Sequence, residues 1–268
     1  MLYLLQLEWL KQRKHRPFLM LGALYILLLP SSLLIAKSIK EWPPPINTPD
    51  TFFRFPDVFI YLGYVGNWLT FFLLGFISVL FITQEFSSRT FRQNIITGLT
   101  RADMFWSKLY FLITVALGAT VYYGLTAMAL GIIHSDALYS SVILKHIDYL
   151  PRFFVMCLGY MSFGLLLGTW IRRSGFALFL FFAYGIFIEP VLRWGVHQNL
   201  FRHKSMNFYP MNAFEDLVPI PFSEMTKGFE KEFGFQFFLT GQEAMITSLV
   251  YIALFLVATY ALITRRDL

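Results

Sequence analysis

Apolar residues in this chain fall in long unbroken runs, set apart by short polar stretches. A helix needs about 20 predominantly apolar residues to cross a hydrocarbon core. Six runs reach that length, at 17–36, 58–83, 108–133, 151–171, 175–196 and 242–264. The short alternating segments of a membrane β-barrel are absent. The pattern predicts an all-α membrane protein: six transmembrane helices arranged as three successive hairpins, without internal repeats, in a single transmembrane domain over 1–268. Pro17 suits the first turn of its helix, where a missing N–H would be unpaired anyway. Pro30, Gly63, Gly66, Gly164 and Pro190 lie inside the runs, as such residues commonly do in membrane helices.

Composition agrees. Of 268 residues, 57% are hydrophobic, 19% aromatic and only 14% charged, with a mean hydropathy of +0.58. A soluble domain carries about 25% charged residues, so this chain could not keep its surface in water. The basic cluster Lys11, Arg13, Lys14 and Arg16 precedes an apolar run without a small-residue cleavage site, which reads as a retained span rather than a signal peptide.

Charge also orients the spans. With both termini cytoplasmic, the inner side carries 12 basic and 4 acidic residues, and the outer side 10 basic and 12 acidic. That asymmetry obeys the positive-inside rule. The net charge of +6 is then topological and does not call for nucleic acid. Cys157 is the only cysteine and the five histidines are scattered, so neither a disulfide nor a metal site is expected.

The inner stretch "QEFSSRTFRQNIITGLTRADMFWSK", residues 84–108, is far more polar than a turn between helices requires. Residues 84–97 could form about four helical turns, roughly 20 Å long, too short to cross the membrane. Gly98 is placed to stop that helix in a left-handed conformation. Thr100 to Asp103 reads as a capping box opening the third span. Residues 1–16 form an N-terminal interfacial helix in this reading, although Leu4, Leu7 and Leu10 fall on a different side from Leu2, Leu5 and Trp9. No single apolar face results. On charge alone, the arginines of 84–97 could equally bind lipid phosphate.

The order of residues resembles the segment after the second span in ABC type-two exporter permeases. Glu85, Thr90, Arg92, Gly98, Arg101 and Lys108 match that pattern, while Ser88-Arg89 stands where many members have a glycine before the threonine. "LEWLKQRKHRPF" at the start and "ITRRDL" at the end are also similar, and "RQNIITGLTR" resembles versions from Bacteroidetes-type bacteria. The resemblance implies a cytoplasmic coupling helix within 84–107, docked on a separate ATPase subunit by Glu85, Arg89, Thr90, Arg92, Gln93, Asn94, Gly98 and Arg101. It further implies two ATPases and a second permease copy or paralogue, a bacterial inner (cytoplasmic) membrane, and export of a hydrophobic or amphipathic substrate. ATP and Mg would be bound by the partner. The chain itself has no G-x-x-x-x-G-K-[ST] sequence and is expected to bind no cofactor and to be no enzyme.

Polar residues inside the spans are functional candidates by default. Asn67 reads foremost as a helix–helix hydrogen bond. Glu189 reads foremost as an ion pair with Arg193, one turn on. Both are retained as substrate-path candidates. The outer segment 197–241 holds ten aromatics, among them Phe201, Phe208, Tyr209, Phe214, Phe222 and Phe237; the resemblance implies short re-entrant helices there. Two rivals remain. An intramembrane protease lacks its motifs here, since neither H-E-x-x-H nor G-x-S-x-G occurs. A non-transporting anchor or signalling subunit of an ABC-like complex fits the same residues.

Overall fold

Backbone polar groups find no partners in lipid, so apolar runs of this length must satisfy them internally as helices. The computed structural model describes residues 2–38, 52–88, 90–136, 139–221, 230, 234 and 236–265, and these contain helices and turns without a strand. The short helix α1 is Leu2–Gln12. Six helices are long and apolar enough to span a membrane: α2 (Arg16–Ser38), α3 (Val58–Ser87), α5 (Arg101–His134), α6 (within Ser140–Ile171), α7 (Ser174–Phe201) and α9 (Gly241–Arg265). Between them lie α4 (Thr90–Ile96) and α8 (Pro210–Glu215).

Four of the six observed spans overrun their apolar runs at both ends, and the second and fourth at one end. The third starts at Arg101 rather than near 108, because the capping box and an amphipathic first turn extend the helix beyond the apolar segment. α1, α4, the α6–α7 turn and the end of α9 gather at one end of the bundle, here termed proximal; α8 lies at the distal end.

α6 is the central post. It packs on α3, α5, α7 and α9, and most of its inward residues, from Phe153 to Thr169, are buried. Small residues set the α3–α6 separation. A Cβ on Gly164 would collide with Ser78 Oγ and lie 2.8 Å from the Gly75 carbonyl oxygen, and one on Gly168 would strike Ile82. Phenylalanine rings fill the space elsewhere: Phe81 stacks on Phe111 with centroids 4.5 Å apart, and Phe71 on Phe181 at 5.0 Å. α2, α7 and α9, by contrast, bury only a minority of their residues, which suits a lipid-facing surface.

Two spans depart from α-helical winding. α3 has a π-helical turn at Thr70–Leu74, and α7 has two, at Tyr184–Ile188 and Val191–His197, flanking Pro190. Proline removes one i→i−4 bond, and a wider turn takes up the slack. Such insertions recur at functional sites.

Candidate functional site

The proximal stretch folds differently from the single four-turn helix expected over 84–97. Residues 84–87 are the last turn of α3, which ends at Ser88. There the hydroxyls of Ser87 and Ser88 turn back onto Thr83 and Gln84 carbonyls, competing with the ladder and helping to stop it. Thr90 bridges the break, its Oγ1 lying 3.1 Å from Ser88 Oγ. α4 is then a separate helix of seven residues. Its lower face is fixed by Phe91, which is buried and stacks on Phe86 with centroids 5.1 Å apart.

The end of α4 has the two bonds of a Schellman motif: Gly98 N–H donates to Ile95 O and Leu99 N–H to Asn94 O, 3.0 Å each. Gly98 sits at φ +102°, where a side chain would be strained. One residue later the capping box is complete. Thr100 N–H donates to Asp103 Oδ2 and Asp103 N–H to Thr100 Oγ1, both 3.1 Å. α4 is therefore joined to α5 by a linker whose backbone groups are nearly all committed. Gln93 is exposed, Asn94 half-buried, and Ile96 is 84% exposed at the tip. Arg89 and the side chain of Arg92 lie outside the described residues.

Glu85 and Arg101 point elsewhere. Arg101 Nη1 donates to Thr264 O, 2.9 Å away, and so ties the start of α5 to the end of α9. Glu85 is 4% exposed and belongs to a buried quartet. Lys108 Nζ lies 2.6 Å from Glu85 Oε1 and 2.8 Å from Glu8 Oε2. Lys11 Nζ donates to Glu85 Oε1 at 2.9 Å and to Glu8 Oε1 at 3.3 Å. Ser107 Oγ adds a bond of 3.0 Å to Glu8, and the Phe81 ring lies 4.4 Å from Lys108 Nζ. Two carboxylates and two ammonium groups balance, which low-dielectric burial demands. Burial opposes the charge on Lys11, but Glu85 and Glu8 outweigh it and hold its pKa above the usual value.

The quartet joins α1, α3 and α5 around the base of α4. The inward face of α1 is polar, which is why its leucines show no single apolar side: Glu8 and Gln12 are buried and Lys11 half-buried. These residues are spaced i, i+3, i+4 on one helix face, but that spacing does not name their partners.

At the distal end, Tyr160 donates to Asn67 Oδ1 at 2.7 Å, linking α6 to α3. Glu189 and Arg193 do not form the expected ion pair. Glu189 accepts the N–H groups of Met211 (3.0 Å) and Asn212 (2.7 Å) at the start of α8. Arg193 donates to Met206 O at 3.1 Å and to Asn207 Oδ1 at 3.2 Å. The π-helical winding at Val191–His197 alters the i to i+4 geometry, and the free N–H groups of α8 offer the carboxylate better donors.

The segment after α7 folds back onto the bundle. Phe214 is buried against Gly159 of α6, and Ser248 and Tyr251 of α9 donate to Ala213 O and Phe208 O. Asp216, also buried, accepts from Leu239 N–H at 2.8 Å and Asn212 Nδ2 at 2.9 Å. Phe201 and Phe208 stay exposed, whereas Phe222, Phe229, Phe233 and Phe235 lie outside the described residues. None of the described His, Cys, Asp and Glu side chains cluster as metal ligands.

Comparison with known proteins supplies the family. A comparison with curated proteins finds no match. A family model described as ABC-2 family transporter protein matches residues 4–188, which takes in α1 to α6, the quartet, α4 and most of α7. With six spanning helices and that match across more than half its length, the chain belongs to the ABC-2 transporter family, as a multi-pass membrane permease component.

Proposed function

We propose that this permease is driven by a separate ABC ATPase that docks on α4, and that it exports a hydrophobic or amphipathic substrate. The working unit holds two ATPases and a second permease copy or paralogue, in a bacterial cytoplasmic membrane, with the proximal end in the cytoplasm. ATP and Mg are bound by the partner. The observation that carries this reading is the mounting of α4: a short helix with an exposed tip, closed by the Gly98 motif and running straight into the capped start of α5.

Mechanically, the tip offers Gln93 and the apolar Ile96 to a groove, and a force applied there reaches α5 through the four-residue link Thr97–Thr100. The quartet of Glu8, Lys11, Glu85 and Lys108 then carries it to α1 and α3 together. Arg101 passes it to α9. A push on one short helix thereby becomes a displacement of four. Charge-assisted contacts suit such a relay because they fix orientation as well as distance.

The test is co-expression with an ABC ATPase encoded beside the permease gene. Wild type should co-purify with it and stimulate ATP hydrolysis, and proteoliposomes should release a loaded apolar dye. Ile96→Asp should abolish co-purification without altering membrane insertion. Unchanged co-purification and hydrolysis in Ile96→Asp and in Arg92→Ala would remove the docking role of α4. Hydrolysis without release of any substrate would favour an anchoring subunit over a transporter.

A further inference from the structure

In the distal half of the bundle, α3, α6, α7 and α8 surround a cleft lined by Asn67, Trp68, Phe71, Tyr160, Ile186 and Glu215. Both neighbouring spans are wound as π-helix where they meet it: Phe71 lies in the turn Thr70–Leu74 and Ile186 in Tyr184–Ile188. The two turns touch, since a Cβ on Gly185 would lie 2.6 Å from the Phe71 ring.

Two polar groups here lack partners. Asn67 is 2% exposed; its Oδ1 accepts from Tyr160, but its Nδ2 has no hydrogen-bond partner among the described residues. Glu215 has neither an ion pair nor a side-chain hydrogen bond among them. Glu215 is half-buried and opens onto the cleft, whereas the fully buried carboxylates are matched: Glu8 and Glu85 by lysines, Glu189 and Asp216 by N–H groups. Arg193 attracts Glu215 electrostatically but places its hydrogen bonds on Met206 and Asn207. Burial accordingly pushes the Glu215 carboxyl above the usual range. Taking a carboxylate out of water without a close counter-charge is costly, and this one also borders the adjoining cleft lined by Arg193, Trp194, Asp216 and Phe237.

We propose that this cleft and the adjoining one, which share Glu215, together bind an amphipathic organic cation, with Glu215 as its counter-charge, the Trp68 and Phe71 rings against its apolar body, and Asn67 as a hydrogen-bonding position. Aromatic faces attract cations as well as apolar surface, and convergent polar groups on aromatic walls are the usual make-up of a ligand site. The inference deepens the export reading by naming a substrate class, and it rests on that reading only in calling the ligand cargo.

Binding can be measured on the purified permease in nanodiscs of zwitterionic lipid, without any ATPase. The probes are tetraphenylphosphonium and its near-isosteric anion tetraphenylborate, with empty nanodiscs subtracted. Wild type should bind the phosphonium saturably and show no saturable binding of the borate. Glu215→Gln should weaken phosphonium binding about tenfold, a size usual for loss of a partly desolvated charge contact, while Glu215→Asp retains most of it. Trp68→Leu should also weaken it. Glu215→Gln removes an unpaired charge, so its thermal midpoint should not fall. Equal affinity in Glu215→Gln, or saturable borate binding of similar strength, overturns the site. Phosphonium binding without ATPase coupling would leave the site standing and remove the transport reading; coupling without binding would do the reverse.

Discussion

Lys108 and Glu85 form an ion pair 2.6 Å long with 1% and 5% of their side chains exposed, at the point where α3 and α5 come together beneath α4. Removing one partner of a buried pair leaves a charge that nothing can solvate, at a cost of about 3–5 kcal/mol. Lys108→Met should therefore lower the thermal midpoint strongly. The double variant Glu85→Gln/Lys108→Met should be markedly less damaged than the two single effects combined, as coupled neighbours require. Additive losses in a thermal-melt cycle would mean that the pair is not coupled. Glu85→Ala, which the resemblance alone would assign to ATPase docking, should act first through stability.

Gly98 offers a separate test of the α4 mounting. Open space surrounds it, so Gly98→Ala is strained only by its backbone, at about 1–2 kcal/mol. Since α4 lies at the periphery, the global melting point should hardly move. Amide exchange over residues 90–99 should quicken, and ATPase stimulation should fall. An unchanged exchange pattern would show that the left-handed residue does not hold the helix end.

Close packing makes Gly164 sensitive. A methyl there meets Ser78 and the Gly75 carbonyl, and overpacking of this kind costs about 1–3 kcal/mol. Gly164→Ala should lower stability in detergent, whereas Gly22→Ala, with nothing within 4 Å, should not.

The distal cap should respond to pH through Asp216. Burial pushes its carboxyl up to about 7 despite the Leu239 N–H, Arg193 and Asn212, with the neighbouring Glu215 adding to the rise. A carboxyl whose folded pKa exceeds its unfolded value near 3.8 binds its proton more tightly when folded. The stability it contributes is complete below about pH 4 and is lost as pH rises through about 7. Exchange of residues 207–218, corrected for intrinsic rates, should thus become faster between pH 5 and 8, and Asp216→Asn should flatten that slope. A wild-type slope of opposite sign would contradict the assignment.

Much of this architecture was legible in the runs of apolar residues, because a helix in lipid needs little beyond length and hydropathy. Gly98 and the Thr100–Asp103 box were legible too, since their chemistry is local to a few residues. What escaped was tertiary. The quartet needs Glu8 and Lys11 to meet residues some 75 to 100 positions later, and no spacing within α1 announces that. Glu189 and Arg193 sit at i and i+4, yet π-helical winding and a re-entrant helix gave each a different partner. Glu215 and Asp216, in a segment notable in sequence only for its aromatics, were not singled out at all.

The contact of Gly75, Gly164 and Gly168 has a last mechanical consequence. Two rods whose backbones approach this closely, with only short side chains at the glycines, have little room to slide and behave as one stiff spine. Any change of shape in the bundle would therefore hinge away from this contact.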